Sequence, residues 1–396
     1  MHYSRQCNFK REGEVKMKLY YRVNDYYPFN IEGSSAASSV RHRVNRVCRC
    51  LPDDIELKIY SIVKSSKVST LKRECYDISQ SHQCVTYFVA TNVLGGWLKG
   101  GISIWLMIYL TLKTLGKKNF SLIYNILPAN ILIHMLFSFL YPYLLSKTIF
   151  QVEEIYSVYD FNFLKRKLIK ISEKSVFDRG LNFIIVNENI RKLIRKKEAN
   201  TIVDYGYDSR KGKSIKINPS NNIVYTGRLD YVGGVEILLQ ALADLPVSIK
   251  DKVIITGSGG LKDKTISYAH EIGVHYKGFL SDIEYESLLS NAKVSINPLR
   301  SKCKFSQYSF PSKVLQYLEY GCVVISSGIA QPELENFFAD ELLIYMDDDP
   351  LKLNYLIRAV DELEFDKSVI INKYQNFMEI KGKKLNTFFY KIFRGK

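Results

Sequence analysis

SFPSKVLQYLEYG, residues 309–321, predicts a helix whose N-terminus faces a binding site. Pro311 suits the start of a helix and Gly321 its end, and the segments KVSINPLR and CVVIS on either side are typical of strands. The unpaired N–H groups of a first helical turn and the helix dipole attract anions. We therefore predict a phosphate site beside Lys313, although ordinary capping of a surface helix explains the same residues.

Strands and helices alternate on both sides of this helix. The second half contains the strand, turn and helix segments NNIVYTGRLDYVGGVEILLQAL, KVIITGSGG, VHYKGFLSDIEYESLLSNAKVSINPLR, CVVISSG and ELLIYMDDDPLKLNYLIRAV. The first half contains the weaker segments VKMKLYYRV, IELKIYSIV, LNFIIVNENI and ANTIVDYGYD. This alternation predicts an α/β fold with parallel sheets that carry helices on both faces.

Residues 120–146 lack Asp, Glu, Lys and Arg and are long enough to cross a bilayer. Their prolines, however, favour a strand, a turn at Pro128, a helix that buries His134, and a second strand. Docking of a helix on the membrane surface is a third interpretation. It is favoured by aromatic residues that lie among apolar and basic ones, namely Trp97, Trp105, Tyr109, Tyr141 and Tyr143.

The composition favours an anionic partner. Lys and Arg number 56 against 40 Asp and Glu, a formal net charge of +16. Many basic residues of the first half predict one basic face, or else an ordinary solvated surface: Arg41, Arg43, Arg46, Arg49, Lys165, Arg166, Lys167, Lys170, Arg191, Lys192, Arg195, Lys196 and Lys197. No nucleic-acid-binding module is recognisable, so we expect no nucleic acid partner.

Neither cysteines nor carboxylates indicate a metal site. The seven cysteines are odd in number and lack zinc spacing, which favours a reducing compartment. Asp347, Asp348 and Asp349 precede Pro350, and this order predicts capping of a helix rather than metal binding. In the first half, Gly33 and Ser34 lie in a loop that leads into a basic helix, a pattern that suits a ligand cradle.

The ordered motifs GRLD, ITGSGG, YKGFLSDIEYESLLSNAKVSINP, SFPSK and VVISS resemble family 4, or group 1, glycosyltransferases of the GT-B fold. The resemblance covers residues 221–365 well and residues 14–210 more weakly. It implies two Rossmann-like domains facing each other across a cleft. Residues 1–210 would form the acceptor-side domain and residues 211–365 the nucleotide-sugar domain, and residues 366–396 would form a helix that crosses back.

The resemblance also implies a donor site. Arg228 matches the arginine that contacts the donor diphosphate, and Lys313 supplies the cation that Gly233 lacks at the usual lysine position. The family's two glutamates fall at Tyr308 and Gln316, of which Gln316 can still bind ribose hydroxyls. The full predicted set is Gly33, Ser34, Arg228, Gly257, Gly278, Phe279, Phe310, Pro311, Ser312, Lys313, Val314 and Gln316.

The catalytic candidates are Glu153 and Glu154, at the end of the strand that faces the scissile bond in the family. A carboxylate there would stabilise an oxocarbenium-like transition state or orient the acceptor hydroxyl. Adjacent residues of a strand point in opposite directions, so only one of the two is expected to face the cleft.

The resemblance implies retaining, metal-independent transfer from a UDP- or GDP-sugar, without a cofactor. The expected acceptor is a glycan or polyprenyl-linked glycan in the synthesis of capsule, O-antigen or exopolysaccharide. We expect a cytoplasmic protein that is peripheral on the cytoplasmic membrane face. Tyr308, Gln316 and Gly233 favour an alternative, a catalytically degenerate nucleotide-sugar-binding protein that acts as the partner of another transferase.

Overall fold

The protein contains two parallel-sheet domains joined by a long C-terminal helix, as seen in a computed structural model that describes residues 17–28, 38–207, 221–328, 331–345 and 347–395. The predicted α/β fold is confirmed. Gly33 and Ser34 lie outside the described residues.

The N-terminal sheet has eight strands in the order β3-β4-β2-β1-β5-β6-β7-β8. Its strands are β1 Met17–Asn24, β2 Ile55–Lys64, β3 Leu71–Ser79, β4 His82–Val89, β5 Asn119–Tyr124, β6 Thr148–Val152, β7 Asn182–Ile185 and β8 Asn200–Val203. Its helices are α1 Ser38–Cys50, α2 Val93–Thr114, α3 Pro128–Leu140, α4 Phe163–Arg179 and α5 Glu188–Arg191. All pairs are parallel except the edge pair of β3 and β4.

The C-terminal sheet has six parallel strands in the order β11-β10-β9-β12-β13-β14. Its strands are β9 Asn222–Arg228, β10 Val253–Ser258, β11 His275–Tyr276, β12 Ala292–Asn297, β13 Val323–Ser327 and β14 Leu342–Tyr345. Its helices are α6 Val235–Ala243, α7 Val247–Lys250, α8 Lys262–Ile272, α9 Asp282–Ser290, α10 Ser312–Glu319, α11 Pro332–Phe337 and α12 Pro350–Asp361.

The last helix, α13 (Lys367–Arg394), packs first on the C-terminal domain and then on the N-terminal one. At its start, Lys367 Nζ donates to the carbonyls of Ser290 and Ala292, at 2.9 and 2.7 Å. At its end, the ring of Phe393 meets that of Phe120 on β5 at 4.8 Å between centroids. The helix therefore completes the cores of both domains.

Residues 120–146 form β5, α3 and a short 3₁₀ turn, so the predicted strand, turn and helix are confirmed. The helix ends at Leu140, earlier than predicted, because Pro142 begins the separate turn. His134 is buried as predicted, between the hydroxyls of Thr111 at 3.0 Å and Thr148 at 2.8 Å. Burial lowers the pKa of its imidazole to about 4, so His134 stays neutral at physiological pH.

Candidate functional site

The residues of the predicted donor site follow the carboxyl ends of the C-terminal strands, at the N-terminus of α10. Open parallel α/β sheets bind ligands at this edge. Arg228 ends β9, and Gly257 lies near the end of β10. A Cβ on Gly257 would lie 1.8 Å from the Gly227 carbonyl oxygen, and its φ is +136°, so this close approach of two strand ends requires glycine.

Lys313 places its ammonium group between β9 and α10. Its Nζ donates to the carbonyl and hydroxyl oxygens of Thr226, at 2.6 and 3.1 Å, and lies 5.6 Å from the centre of the Tyr285 ring. Burial lowers the pKa of Lys313 to about 8. Because an ammonium group has three N–H donors, one is left for an anion at the end of β9.

Gln316 belongs to a hydrogen-bonded group beneath Lys313. Its Oε1 accepts from the Tyr285 hydroxyl at 2.8 Å, and the hydroxyls of Thr226 and Tyr317 lie 2.8 Å apart. These bonds fix the side-chain carbonyl of Gln316 and leave its amide as the group that can donate to a ligand.

Arg228 and Phe279 are the accessible members of the predicted set. The Arg228 side chain is 74% exposed and pairs with Asp230 at 2.5 Å. Phe279 is 84% exposed, directly after Gly278, whose carbonyl accepts from the Gly257 N–H at 2.9 Å. A guanidinium group and an exposed ring at one sheet edge suit a phosphate and a planar base, respectively.

Two residues of the predicted donor set, Phe310 and Val314, have side chains that are buried in the core. The Phe310 ring packs against Tyr205 of the N-terminal domain at 4.5 Å between centroids. Val314 is fully buried, and its N–H donates to the Pro311 carbonyl at 2.9 Å. Pro311 is the N-cap of α10 and Ser312 its first residue, so the first-turn donors facing the edge come from Ser312 and Lys313.

Glu153, one of the two predicted catalytic residues, is enclosed within the N-terminal domain. It is 1% exposed, forms an ion pair with Arg43 of α1, and accepts from Gln151 Nε2 at 2.8 Å. Its own N–H donates to Asn125 Oδ1 at 2.9 Å. Burial raises the pKa of the Glu153 carboxyl to about 7, and the attraction of Arg43 opposes that rise.

Glu154 points the other way and is partly exposed, as the alternation of strand residues requires. Burial, and next the charge of Glu154, raise the pKa of both Tyr156 and Tyr159. The positive charge of Arg228 acts in the opposite direction on Tyr159. Tyr159 of the N-terminal domain therefore lies within electrostatic reach of both Glu154 and Arg228, the latter on the C-terminal domain.

The segment before α10 is held against the N-terminal domain. Asn187 Nδ2 donates to the Ser309 carbonyl and Asn189 Nδ2 to the Gln307 carbonyl, both at 2.9 Å. The rings of Tyr159 and Phe305 are 5.2 Å apart. These contacts were not predicted from the sequence. Both asparagines belong to the polar segment NENI, which follows a buried strand and could have indicated them.

The predicted basic face is only partly present, because two arginines of α1 point inward. Arg43 pairs with Glu153, and Arg46 Nε donates to both carboxylate oxygens of Asp204, at 2.9 and 3.0 Å. A buried arginine needs such a partner to offset its desolvation. These ion pairs fasten α1 to the carboxyl ends of β6 and β8.

The aspartates before α12 serve local structure, as predicted. Asp349 caps α12 by accepting from the Leu351 N–H at 2.9 Å. Asp348 accepts from the N–H and hydroxyl of Ser301, both at 2.8 Å.

The matched family is described as Glycosyl transferases group 1, and its model covers residues 220–360. This range contains the whole sheet edge described above. A search of curated proteins finds no match.

Solved structures resemble the full chain. Sucrose-phosphate synthase from Thermosynechococcus elongatus matches with a TM-score of 0.63 and 13% identity, over 96% of this chain and 100% of that one. HepE from Anabaena, in complex with UDP, matches with a TM-score of 0.62 and 12% identity, over 95% and 98%. The lipopolysaccharide outer core galactosyltransferase WaaB matches with a TM-score of 0.58 and 14% identity, over 95% and 99%. At these identities the likeness establishes the two-domain fold.

Proposed function

We propose that the protein transfers a sugar from a UDP-sugar to a glycan or lipid-linked acceptor, because residues 220–360 match the Glycosyl transferases group 1 model and the two domains have the GT-B fold. The observation that carries the proposal is the set of anion-binding groups at one sheet edge: Arg228, Lys313 and the first turn of α10. The UDP bound to the similar HepE structure favours uridine over guanosine.

The proposed reaction breaks the bond between the anomeric carbon and the diphosphate and forms a bond to the acceptor oxygen, whose proton passes to the departing diphosphate. Negative charge develops on the departing diphosphate. The guanidinium of Arg228, the ammonium of Lys313 and the helix dipole behind Pro311 would neutralise it. These groups provide cationic stabilisation from the protein itself, which is the basis for proposing metal-independent transfer.

Positive charge develops on the sugar ring as the diphosphate leaves. Glu154 is the carboxylate of the β6 end that is accessible, and Tyr159 lies near it. We assign to Glu154 the stabilisation of this charge or the orientation of the acceptor hydroxyl. Phe279 would stack on the base, and the amide of Gln316 would bind the ribose.

We place the acceptor in the synthesis of a surface polysaccharide and the transfer in the retaining class. Support for the pathway comes from the motifs of the C-terminal half. Support for retention comes from the family resemblance, and the anomeric configuration of the product, measured by NMR, tests it.

A binding protein without transfer activity is the second candidate. It is favoured by Tyr308 and Gln316, which stand where the family has glutamates, and by the bonds from Lys313 to Thr226. Turnover separates the two candidates, because both bind the nucleotide.

The first test is a thermal-shift screen of the purified protein with UDP, GDP, ADP and CMP and their sugars, with and without EDTA. A ligand that binds the folded state raises its apparent stability by mass action. We expect UDP or a UDP-sugar to raise the melting temperature equally with EDTA. Stabilisation that EDTA abolishes would contradict the metal-independent mechanism.

A further inference from the structure

Helices α2, α3 and α4 form one layer of the N-terminal domain, with α3 between the other two. Thr111 of α2 meets His134 of α3 at 3.0 Å. Arg179 of α4 donates to the Ser138 carbonyl of α3 at 3.1 Å, and its guanidinium lies 3.7 Å from the centre of the Phe139 ring. The three helices are therefore a continuous packed layer with one outer side.

The outer side of this layer is apolar. On α2 the exposed residues recur at helical spacing, and on α3 and α4 large apolar side chains also reach solvent. We call this set the docking face: Trp97, Ile104, Trp105, Ile108, Leu112, Leu136, Phe139, Leu140, Phe163, Leu164, Leu168 and Ile171. Trp97 is 79% exposed and Leu140 is 75% exposed. Extended apolar surfaces of this kind mark interaction sites.

The charge around the docking face is positive. No Asp or Glu occurs between Asp77 and Glu153, a stretch that contains all of α2 and α3. Exposed basic residues accompany the apolar ones on α4, and lysines cluster at the other end of the layer: Lys165, Arg166, Lys167, Lys170, Lys174, Lys117 and Lys118. A second copy of this basic surface would be repelled, whereas an anionic surface would be attracted.

Aromatic and basic side chains also combine as they do at a membrane interface. Lys113 Nζ lies 5.4 Å from the Tyr109 ring centre, and Lys147 Nζ lies 5.5 Å from that of Tyr143. Tryptophan and tyrosine favour the headgroup region, where lysines reach anionic phosphates. We infer that the docking face binds the surface of an anionic phospholipid bilayer.

Helix α2 would lie in the plane of the membrane rather than cross it. Among the described residues it is the helix that is long and apolar enough to span a bilayer, by length and composition alone. Its inner side, however, is committed to the domain core through Leu106 and Leu110. Arg22 of β1 also donates to Ser103 Oγ on α2 at 2.8 Å. Such anchoring leaves only the outer side for lipid.

This inference deepens the proposed function, because a bilayer on the N-terminal domain would present a lipid-linked acceptor to the domain that carries Glu154. The link to catalysis rests on the proposed function, whereas binding of the bilayer does not.

The test uses the two tryptophans of the chain, Trp97 and Trp105, which both lie on the docking face. Their emission is recorded while vesicles of phosphatidylcholine mixed with phosphatidylglycerol are added. We expect a blue shift, and quenching when the acyl chains are brominated. We also expect weaker binding to pure phosphatidylcholine, and weaker binding in 1 M salt, where the Debye length falls to about 3 Å.

A matched pair of variants locates the surface. Leu140→Glu places a charge on the docking face, and Leu351→Glu places the same charge on α12, where the leucine is 76% exposed. We expect Leu140→Glu to weaken vesicle binding about tenfold or more, because a carboxylate opposes both apolar insertion and anionic lipid. Leu351→Glu is expected to bind like the wild type.

Unchanged tryptophan emission with mixed vesicles would overturn the inference, and so would equal loss of binding in both variants. A homodimer whose tryptophans are already shielded in buffer would also overturn it, because a second copy would then cover the docking face. Thermal shifts with UDP, measured on the same samples, separate the two proposals. Vesicle binding without a thermal shift by UDP would contradict only the donor assignment. A thermal shift by UDP without vesicle binding would contradict only the binding of the docking face to a bilayer.

Discussion

The ammonium group of Lys313 lies at the end of β9, and burial lowers its pKa. Its two bonds to Thr226 hold the nitrogen near Arg228, at the N-terminus of α10. A departing diphosphate stabilises the charged form of this lysine, so binding of the ligand and binding of the proton are linked.

The pH dependence of UDP binding tests this placement. In the free protein Lys313 has a pKa of about 8, so it is charged below about pH 7 and becomes neutral above pH 8. Because UDP prefers the charged form, we expect affinity to change little between about pH 7 and 7.5 and to fall by up to about tenfold per pH unit above 8. Calorimetric titrations of the wild type and Lys313→Ala check this. An identical pH dependence in both proteins would contradict the role of Lys313.

The two glutamates at the end of β6 are expected to behave differently when each becomes glutamine. Glu154→Gln should leave UDP affinity nearly unchanged and lower kcat by about a hundredfold or more, because it removes charge from the cleft. Glu153→Gln should instead lower the free energy of unfolding by about 2 kcal/mol or more when it is measured above the Glu153 pKa of about 7, where the carboxylate is ionised and Arg43 loses its buried partner. Turnover and urea unfolding of both variants provide the measurements. Full turnover in Glu154→Gln would contradict its catalytic assignment.

The sequence could predict that one of these glutamates faces the cleft, but not which one. Alternation along a strand sets their opposite directions. The choice depends on Arg43 of α1, which is far from Glu153 in sequence and forms an ion pair with it. The burial of the Phe310 and Val314 side chains could not be predicted for a similar reason. They border the phosphate-binding helix start, but packing against Tyr205 and the domain core decides their burial.

Among the helices, α13 contributes to the stability of the N-terminal domain by adding residues to its core. Phe388, Phe389 and Phe393 join the core cluster of β1, β2 and α1. Phe389 is fully buried, and its ring packs against that of Phe393 at 5.8 Å between centroids. The N-terminal sheet therefore buries part of its apolar surface under α13.

Phe389→Ala is expected to lower the free energy of unfolding by about 3 to 5 kcal/mol, the usual cost of removing a buried phenylalanine. Urea unfolding followed by far-UV circular dichroism measures the loss. Tyr390→Ala, at the partly exposed neighbouring position, is the control and should cost much less. A loss for Phe389→Ala no greater than that of the control would contradict the packing of α13 on the N-terminal domain.

The elements of the C-terminal domain were predictable because strand, glycine turn and helix follow each other with clear apolar segments. The β3–β4 hairpin and the extent of α2 were not predicted. Strand β3 is mostly exposed and pairs antiparallel at the sheet edge, so it lacks the apolar run of a buried strand. Helix α2 contains four glycines, which weaken its helical signal, and packing on the sheet stabilises it.

Three contacts join the two domains beside the site. Asn187 and Asn189 bind the backbone before α10, and Tyr159 packs on Phe305. A closed cleft excludes water, which would otherwise compete with the acceptor for the activated sugar.

Phe305→Ala is therefore expected to increase hydrolysis of the donor relative to transfer by about twofold to tenfold, because the ring contact between Phe305 and Tyr159 that joins the domains is lost. Chromatographic measurement of free sugar and glycosylated product gives the ratio. Tyr355→Ala removes an exposed ring of α12 and is the matched control. An unchanged ratio in Phe305→Ala would show that this contact does not control access of water.

The proposed donor site predicts that a nucleoside diphosphate binds between Arg228, Lys313 and the first turn of α10. Calorimetric titration of UDP in EDTA into the wild type, Arg228→Ala and Lys313→Ala measures this binding. We expect each substitution to weaken binding by about 1.5 to 3 kcal/mol, or roughly tenfold to 150-fold, since each removes a charged hydrogen bond. Wild-type affinity in both variants would contradict the claim.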